Sequence, residues 1–253
     1  MDRTPYQLPF FTHQIPAWLC PACHAGHLTL DKKNLLKSET SDSAREHQHE
    51  AWEPDWIRYV FSCIFQCNNP NCKEPVTCTG TGRVEIVYFE DEEHGWAQST
   101  DERFTPQYFH PHLVLMDIPT GCPEEVCSHL NQSFTLFFAD SGAAMNCARA
   151  AVEAFLTSLG IKRFSTVKGK RRPINLHQRI ELLPEKYKDL SDLLLAVKWL
   201  GNAGSHDGDK TTEADVRIMY DLLEHVLSEV YEGKNKKLKA IAKKVNKNKG
   251  PIK

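Results

Sequence analysis

Two short cysteine pairs are the residues of this sequence best suited to chemistry. Cys20 and Cys23 flank Pro21-Ala22, and Cys67 and Cys72 flank four residues made only of Asn and Pro. Each loop can offer two thiolates to one ion, and zinc prefers four such soft ligands in a tetrahedron. Asn and Pro favour the tight turn that a cysteine knuckle needs. The spacing predicts a zinc site with the ligands Cys20, Cys23, Cys67 and Cys72.

Several other residues leave alternatives open for the ligand set. The nine cysteines are an odd number and no secretory signal accompanies them, which favours a reducing compartment and a metal site over a disulfide framework. Cys63 precedes Cys67 by four residues and Cys78 is expected in an exposed turn, so either could replace a ligand. His24 and His27 could also substitute, and scattered reduced cysteines without a metal are a further interpretation. Four thiolates leave no open position, so the predicted zinc is structural.

The elements that position these residues fall into two kinds. We predict an α+β protein with a zinc-ribbon-like β module over residues 1–105 and a linker over 106–119. An all-α bundle follows over 120–232 and a lysine-rich tail over 233–253. Residues 59–67 and 82–89 have the aromatic and β-branched composition of paired strands, whereas residues 38–50 are polar and predict an exposed loop.

Helical periodicity begins after the linker and predicts about five helices with short connections. Residues 162–172 are basic and predict a loop. The fourth helix is expected to end near Gly201-Asn202, and Thr212 with Asp215 has the spacing of a capping box for the fifth. The predicted helices begin near Pro123, Asp140, Asn175, Leu190 and Thr212.

Three segments of the helical half carry a family resemblance. They are Asp117-Ile118-Pro119, the small-residue-rich run from Ser141 to Glu153, and the run from Leu195 to Gly208 that contains Gly-Asn and then His. In order and spacing they resemble the domain of unknown function 4145, whose members frequently carry cysteine knuckles upstream. That family is grouped with HEPN domains. The resemblance implies a HEPN-like helical bundle that often forms dimers. It also implies relatives that occur beside, or fused to, restriction and antiphage proteins. Many HEPN proteins are metal-independent ribonucleases.

A polar cluster in this half could act on RNA. Arg149 and Glu153 are four residues apart and therefore share one helical face. Asn202 and His206 are expected just past the fourth helix, in a glycine-rich loop that could bring them close. An Arg to hold phosphate and a His to move protons are the minimum for cleavage through the 2′-hydroxyl. The alternative is a buried network that only fixes the geometry of the bundle.

The HEPN resemblance also supplies a reason to doubt catalysis. Active members usually present Arg, four to six residues, and then His, whereas the window before His206 holds Trp199, Leu200 and Gly201. Lys198 is the nearest cation and lacks the fork of a guanidinium. We therefore favour a binding or adaptor module of a bacterial defence or restriction-like system, dimeric through its helical half. The alternative is a ribonuclease with a degenerate motif, acting as a toxin or abortive antiphage effector.

Charge is unevenly distributed along the chain. The last twenty residues hold nine lysines and no acid, and the other 22 basic residues face 33 acidic ones. Such a tail can neutralise phosphates without reading sequence, and it can equally be a solubilising terminus. RNA or DNA is therefore a candidate partner, besides a protein partner. The candidate nucleic-acid contacts are Lys198, Lys236, Lys237, Lys239, Lys243 and Lys244.

Several function classes lack sequence support. No run of eighteen apolar residues predicts a membrane span, and the first eleven residues do not resemble a secretory signal, so a cytoplasmic protein without a membrane partner is expected. A Rossmann fingerprint, a P-loop and a nucleophile elbow are absent from the sequence. Nucleotide hydrolysis and acyl transfer are not predicted.

Overall fold

The computed structural model describes residues 1–91, 95–206, 211–233, 241–244 and 246–247. The chain divides into two compact units. One comprises residues 2–114 and 134–139, and the other comprises Met1, residues 115–133 and residues 140–253. The first is built on strands and the second on helices, which confirms the predicted α+β class. In the described ranges, no helix combines the length and the apolar character that crossing a bilayer requires.

The first unit is built on a five-stranded antiparallel sheet in the order β1-β5-β4-β3-β2. The strands are β1 (Phe10–Phe11), β2 (Leu28–Glu39), β3 (Arg58–Cys67), β4 (Pro75–Asp91) and β5 (Gly95–His110). β3 buries every second side chain, ending with Phe65 and Cys67, because alternate residues of a strand point to opposite faces. Residues 59–67 and 82–89 both lie in strands as predicted, but they are not each other's main partners: β3 pairs with residues 75–83 of β4, and residues 84–89 pair with β5.

Aromatic rings fill the inner face of this sheet. The Phe10 ring lies 5.3–5.9 Å, centroid to centroid, from the rings of Trp18, Phe61, Phe65 and Phe104. Phe10 and Trp18 are fully buried. Trp18 also donates from its indole Nε1 to the carbonyl of Pro5 at 2.9 Å, which satisfies its polar atom. The cluster holds the N-terminal segment against β3 and β5.

Two details of the first unit differ from the sequence-based expectations. A helix, α1 (Ser41–Glu46), lies within the predicted loop of residues 38–50, and the hydroxyl of Thr40 caps it. It is too short to show a helical period. β5 continues to His110, so residues 106–110 of the predicted linker belong to a strand that pairs with β4. Pro106 lies opposite Gly80 at a register shift of this ladder, where a proline without an N–H group is tolerated.

The second unit contains the five expected helices, apart from the last three residues of the first of these helices, which belong to the strand-built unit. They are α2 (Glu124–Leu136), α3 (Ser141–Ser158), α4 (Leu176–Glu181), α5 (Ser191–His206) and α6 (Glu213–Leu227). A 3₁₀ helix (Glu185–Leu190) precedes α5, and a π-helical turn (Ser228–Glu232) follows α6. Thr212 and Asp215 form the predicted capping box of α6, and Asn175 caps α4 in the same way.

Helix α3 lies at the centre of this unit and packs against α4, α5 and α6. Its buried side is rich in alanine, and the apolar face of α6 faces inward. The hydroxyl of Ser133 on α2 donates to the carbonyl of Ala144 at 2.6 Å and lies 2.7 Å from the Tyr220 hydroxyl on α6. These buried polar groups are therefore satisfied by one another.

The basic segment 162–172 is not the predicted loop. It forms most of a separate two-stranded hairpin, β6 (Phe164–Val167) and β7 (Lys170–Pro173). The two connecting residues, Lys168 and Gly169, both have positive φ angles, 50° and 74°. Two consecutive positive φ values are typical of the type I′ turn, which joins strands with two residues. Lys-Gly is a weaker signal for that turn than Asn-Gly, so the sequence did not reveal it.

Candidate functional site

The four predicted cysteine ligands form one cluster in the first unit. The Sγ atoms of Cys20, Cys23, Cys67 and Cys72 all lie within 4.8 Å of one another. The Cys20–Cys72 and Cys23–Cys67 pairs are each 3.7 Å apart, sulfur to sulfur. The arrangement is compatible with a single metal ion bound by four sulfur atoms.

Backbone hydrogen bonds place the first knuckle at the end of β3. Leu28 pairs with Cys67 in the β2–β3 ladder, and the Cys20 N–H donates to the carbonyl of Gly26 at 2.8 Å. The His24 N–H then donates back to the carbonyl of Cys20 at 3.0 Å, which closes the turn. Because Cys67 is the last residue of β3, the sheet itself brings the two cysteine pairs together.

The second knuckle repeats the turn of the first. The N–H groups of Cys72 and Lys73 both donate to the carbonyl of Asn69, at 3.0 and 3.1 Å. Lys73 has a φ of 55° and His24 a φ of 52°, so the residue after the last cysteine of each knuckle is left-handed. Left-handed backbone is unfavourable for residues other than glycine. Both loops adopt it in order to return the chain after presenting two sulfur atoms.

Gly26 lies too close to the sulfur cluster to be replaced by another residue without movement. A Cβ atom added there would lie 2.5 Å from the Cys67 sulfur and 2.9 Å from Cβ of Asn69. The Gly26 N–H also points at the cluster and donates to the Cys23 sulfur at 3.4 Å. The position therefore combines a close approach of the chain with a donor to one sulfur atom.

The environments of two cluster thiols differ strongly. The backbone N–H groups of Ala25 and Gly26 lower the pKa of the Cys23 thiol to about 6. Burial raises the pKa of the Cys67 thiol to about 12. Thiolates, not thiols, bind metals, so metal binding at this cluster would release protons.

Cys63 and Cys78 stand outside the cluster. Cys78 lies near the start of β4, directly opposite Cys63 on β3, and both side chains are buried. The expectation that Cys78 sits in an exposed turn is therefore wrong; its pairing with Cys63 places it on the buried face of the sheet. Burial raises the pKa of its thiol. Among the described residues, the metal-compatible group does not include Cys63, Cys78, His24 or His27.

Arg149 and Glu153 form the centre of the polar cluster in the second unit. The Arg149 Nη1 donates to Glu153 Oε1 at 3.1 Å, as their four-residue spacing predicts. The Arg149 side chain is 30% exposed. Its Nε is buried and lacks a hydrogen-bond partner within the described residues. The guanidinium thus keeps one buried donor that no described residue uses, while the partial exposure of the side chain leaves the group open to solvent.

The expected loop position of Asn202 and His206 is wrong. Both residues belong to α5, which continues to His206 instead of ending at Gly201-Asn202. Gly201 does not end the helix; it allows α3 to approach, since an added Cβ would lie 2.6 Å from Cβ of Arg149. Gly204 faces Gly142 in the same way, since a Cβ added at Gly204 would lie 2.7 Å from the Gly142 carbonyl oxygen. The His206 side chain lies outside the described residues.

A second polar contact joins α3 and α5, and the sequence analysis did not predict it. The Ser205 hydroxyl of α5 donates to Asn146 Oδ1 of α3 at 2.6 Å. Asn146, Arg149 and Glu153 follow one another at intervals of three and four residues, which is the spacing of one helical face. That spacing was the sequence signal from which the shared polar face could have been predicted. The α3–α5 crossing therefore carries a row of polar side chains along one line.

Arg179 on α4 is a buried cation that the sequence also did not reveal. It is 2% exposed, and its Nη2 donates to the Thr157 hydroxyl at 2.8 Å and to the Ile161 carbonyl at 3.3 Å. Burial lowers the pKa of this guanidinium. These bonds tie α4 to the end of α3, which is a structural role.

The candidate nucleic-acid lysines are only partly described. The Lys198 ammonium lies 3.3 Å from the ring centroid of Trp199, a side chain that is 59% exposed. Lys243 and Lys244 are exposed on a short helical segment over residues 241–244. Lys236, Lys237 and Lys239 lie outside the described residues.

Comparison with known proteins gives two family-model matches. The model described as domain of unknown function (DUF8608) matches residues 8–109. The model described as domain of unknown function (DUF4145) matches residues 131–248, in agreement with the resemblance read from the sequence. Comparisons with curated proteins and with solved structures gave no match.

The close approach of α3 and α5 can be tested by removing Gly201 from α5 and placing a glycine at the contacting position of α3. Gly201→Ala is expected to destabilise the protein by about 1–3 kcal/mol, since its Cβ would overlap Cβ of Arg149. Arg149→Gly combined with Gly201→Ala should recover part of that loss, because the contact again has one glycine. Denaturant unfolding of both single variants and the double variant measures the coupling. Strictly additive free energies would contradict the close approach.

Proposed function

We propose that this chain is a zinc-stabilised module that associates with nucleic acid in the cytoplasm, within a bacterial defence or restriction-like system. The sulfur cluster carries the proposal of a metal-stabilised module, because four thiolate ligands would leave no open position on the ion for substrate. Zinc–sulfur bonds of about 2.3 Å in a tetrahedron place the sulfur atoms about 3.8 Å apart. The Cys20–Cys72 and Cys23–Cys67 sulfur–sulfur distances of 3.7 Å agree with that value.

The donor set of the cluster indicates a structural role for the metal. The ligands Cys20, Cys23, Cys67 and Cys72 would fill all four positions of a tetrahedral ion. A catalytic zinc keeps one position open for water or substrate. Bound zinc would supply cross-linking of the two knuckles, while the chain supplies N–H donors from Gly26 and Asn69 to the sulfur atoms. Such donors orient and neutralise thiolates.

The second unit supports association rather than turnover. Its polar row at the α3–α5 crossing is anchored by the Arg149–Glu153 ion pair, in which the carboxylate already neutralises the cation. The resemblance to HEPN domains implies a homodimer formed through this unit and a protein partner from the same system, and both belong to the proposal. The exposed Lys243 and Lys244, within a tail of nine lysines, support contact with RNA or DNA phosphates.

A ribonuclease is the second candidate function. The observation in its favour is the partial exposure of the Arg149 side chain, 30%, which leaves its guanidinium open to a phosphate oxygen beside Glu153. In this alternative, Arg149 and Asn202 hold the phosphate, Glu153 orients Arg149, and His206 moves the proton of the 2′-hydroxyl. The chain would then act as a HEPN-type, metal-independent toxin or abortive antiphage effector.

Metal content distinguishes the proposed ligands from the other cysteines. Elemental analysis of the purified protein should find about one zinc per chain. Cys23→Ser with Cys67→Ser should lose the metal, because two thiolates cannot hold it in competition with buffer and water. Cys147→Ser is the control, since Cys147 is half-buried, lies on α3 and is not a member of the sulfur cluster. Iron in place of zinc, or retention of zinc by the double variant, would contradict the proposal.

Incubation with labelled nucleic acid separates the two candidate functions. Without added magnesium, the protein is expected to bind RNA or DNA in a salt-sensitive way and to leave RNA intact. His206→Ala and Arg149→Ala are the matched variants. RNA cleavage by the unaltered protein that disappears in His206→Ala would identify an enzyme instead. Absence of binding to any RNA or DNA would contradict the nucleic-acid association.

A further inference from the structure

The hairpin of β6 and β7 forms a sheet of its own in the second unit. Its register pairs Phe164 with Pro173 at one end and Val167 with Lys170 at the other. The Ile174 N–H donates to the Arg163 carbonyl at 2.9 Å, which extends the ladder at the base. The tight Lys168-Gly169 turn closes the tip. The result is a short two-stranded ribbon with a defined geometry.

The ribbon concentrates positive charge. Between residues 162 and 180 the sequence contains seven basic residues and no acid, six of them within residues 162–172. Every residue from 162 to 173 is exposed. In the ranges that the structure describes, none of those six cations pairs with a carboxylate. The rest of the chain before the tail carries an excess of acid, so this charge is local and is not neutralised by its neighbours.

Both faces of the ribbon are basic. Residues that are paired across strands share a face, so Lys170 and Arg172 lie on one face together with Ser165 and Val167. Arg171 lies on the opposite face, where its guanidinium stacks 3.8 Å above the Phe164 ring centroid. The stacked cation covers the larger apolar side chain of the hairpin. A ribbon that is positive on both faces suits a groove that has phosphates along both walls.

The dimensions of the ribbon suit B-form DNA. Four residues per strand span about 13 Å, and the major groove is about 12 Å wide and 8.5 Å deep, which admits a two-stranded β-ribbon. The major groove of A-form RNA is too deep and narrow for side chains to read. A membrane-inserting hairpin would present apolar residues at its tip, whereas this tip is Lys168-Gly169.

We propose that the β6–β7 hairpin enters the major groove of double-stranded DNA. Lys168, Lys170 and Arg172 then contact phosphates from the tip and one face, and Arg171 contacts them from the other. The hydroxyls of Ser165 and Thr166 are available for base edges or phosphate oxygens. This inference rests on the proposed nucleic-acid association and makes it specific, because it names duplex DNA as the ligand and the hairpin rather than the tail as the structured contact.

Charge removal on the hairpin tests the inference in the full-length chain. The variant carries Lys168→Gln, Lys170→Gln and Arg172→Gln. The control removes the same charge at exposed sites elsewhere, with Lys32→Gln, Lys33→Gln and Lys186→Gln. Fluorescence anisotropy with a labelled 20-base-pair DNA duplex is read across a salt series. The hairpin variant is expected to bind the duplex at least about tenfold more weakly than the unaltered protein. The slope of log K against log salt should become shallower by about 2.7, because three phosphate contacts are lost. The control should change little in either quantity.

A second variant tests the shape of the hairpin with its charges kept. Gly169→Val places a β-branched side chain at a φ of 74°, which disfavours the tight turn. The unaltered protein is expected to prefer the DNA duplex over an RNA duplex of the same sequence, and Gly169→Val is expected to lose that preference.

Three outcomes would overturn the inference. They are equal salt slopes for the hairpin variant and the control, equal affinity of the unaltered protein for both duplexes, and binding to anionic phosphatidylserine vesicles without binding to DNA. If the hairpin variant binds like the unaltered protein, only this inference fails. If the unaltered protein binds no nucleic acid at all, the proposed function fails with it.

Discussion

The first unit depends on four sulfur atoms being held together at one end of a sheet. Cys67 reaches the cluster as the last residue of β3, and Cys20 and Cys23 reach it on a loop that the β2–β3 ladder returns to the same end. Gly26 allows that loop to pass within contact distance of the Cys67 sulfur. Buried thiols packed this closely would stabilise the fold weakly by themselves. A metal ion would convert them into a cross-link between segments more than forty residues apart.

A different constraint organises the second unit. Helices α3 and α5 approach closely at Gly201 and Gly204, where backbone and the stem of Arg149 occupy the space that side chains would fill. The same approach brings Asn146 of α3 within hydrogen-bond distance of Ser205 of α5. Packing and polar chemistry therefore share one crossing. Replacement of either glycine would push the two helices apart and move the polar row of Asn146, Arg149 and Glu153. A change in helix packing would therefore also change the proposed functional side chains.

Local signals predicted the elements whose chemistry lies within a few residues. The spacing of the four cysteines, the Thr212–Asp215 capping box and the alternation of β3 were all readable in the sequence. The errors arose where tertiary contacts decide. Gly201 is a residue type that often ends a helix, yet here it lies within α5 and allows α3 to approach closely. The basic run around Lys168 folds as a hairpin. Cys78 follows turn-forming residues, but its burial depends on pairing with Cys63 across β3 and β4.

Near-UV circular dichroism before and after metal removal tests the proposed role of the cluster most directly. Trp18 is fully buried, two residues before Cys20, and packs against Phe65 on β3. Stripping the metal with excess chelator should abolish the aromatic signal of the first unit and leave the far-UV helical signal. One equivalent of zinc should restore it. An unchanged aromatic signal in protein shown by elemental analysis to be metal-free would contradict a metal-stabilised scaffold.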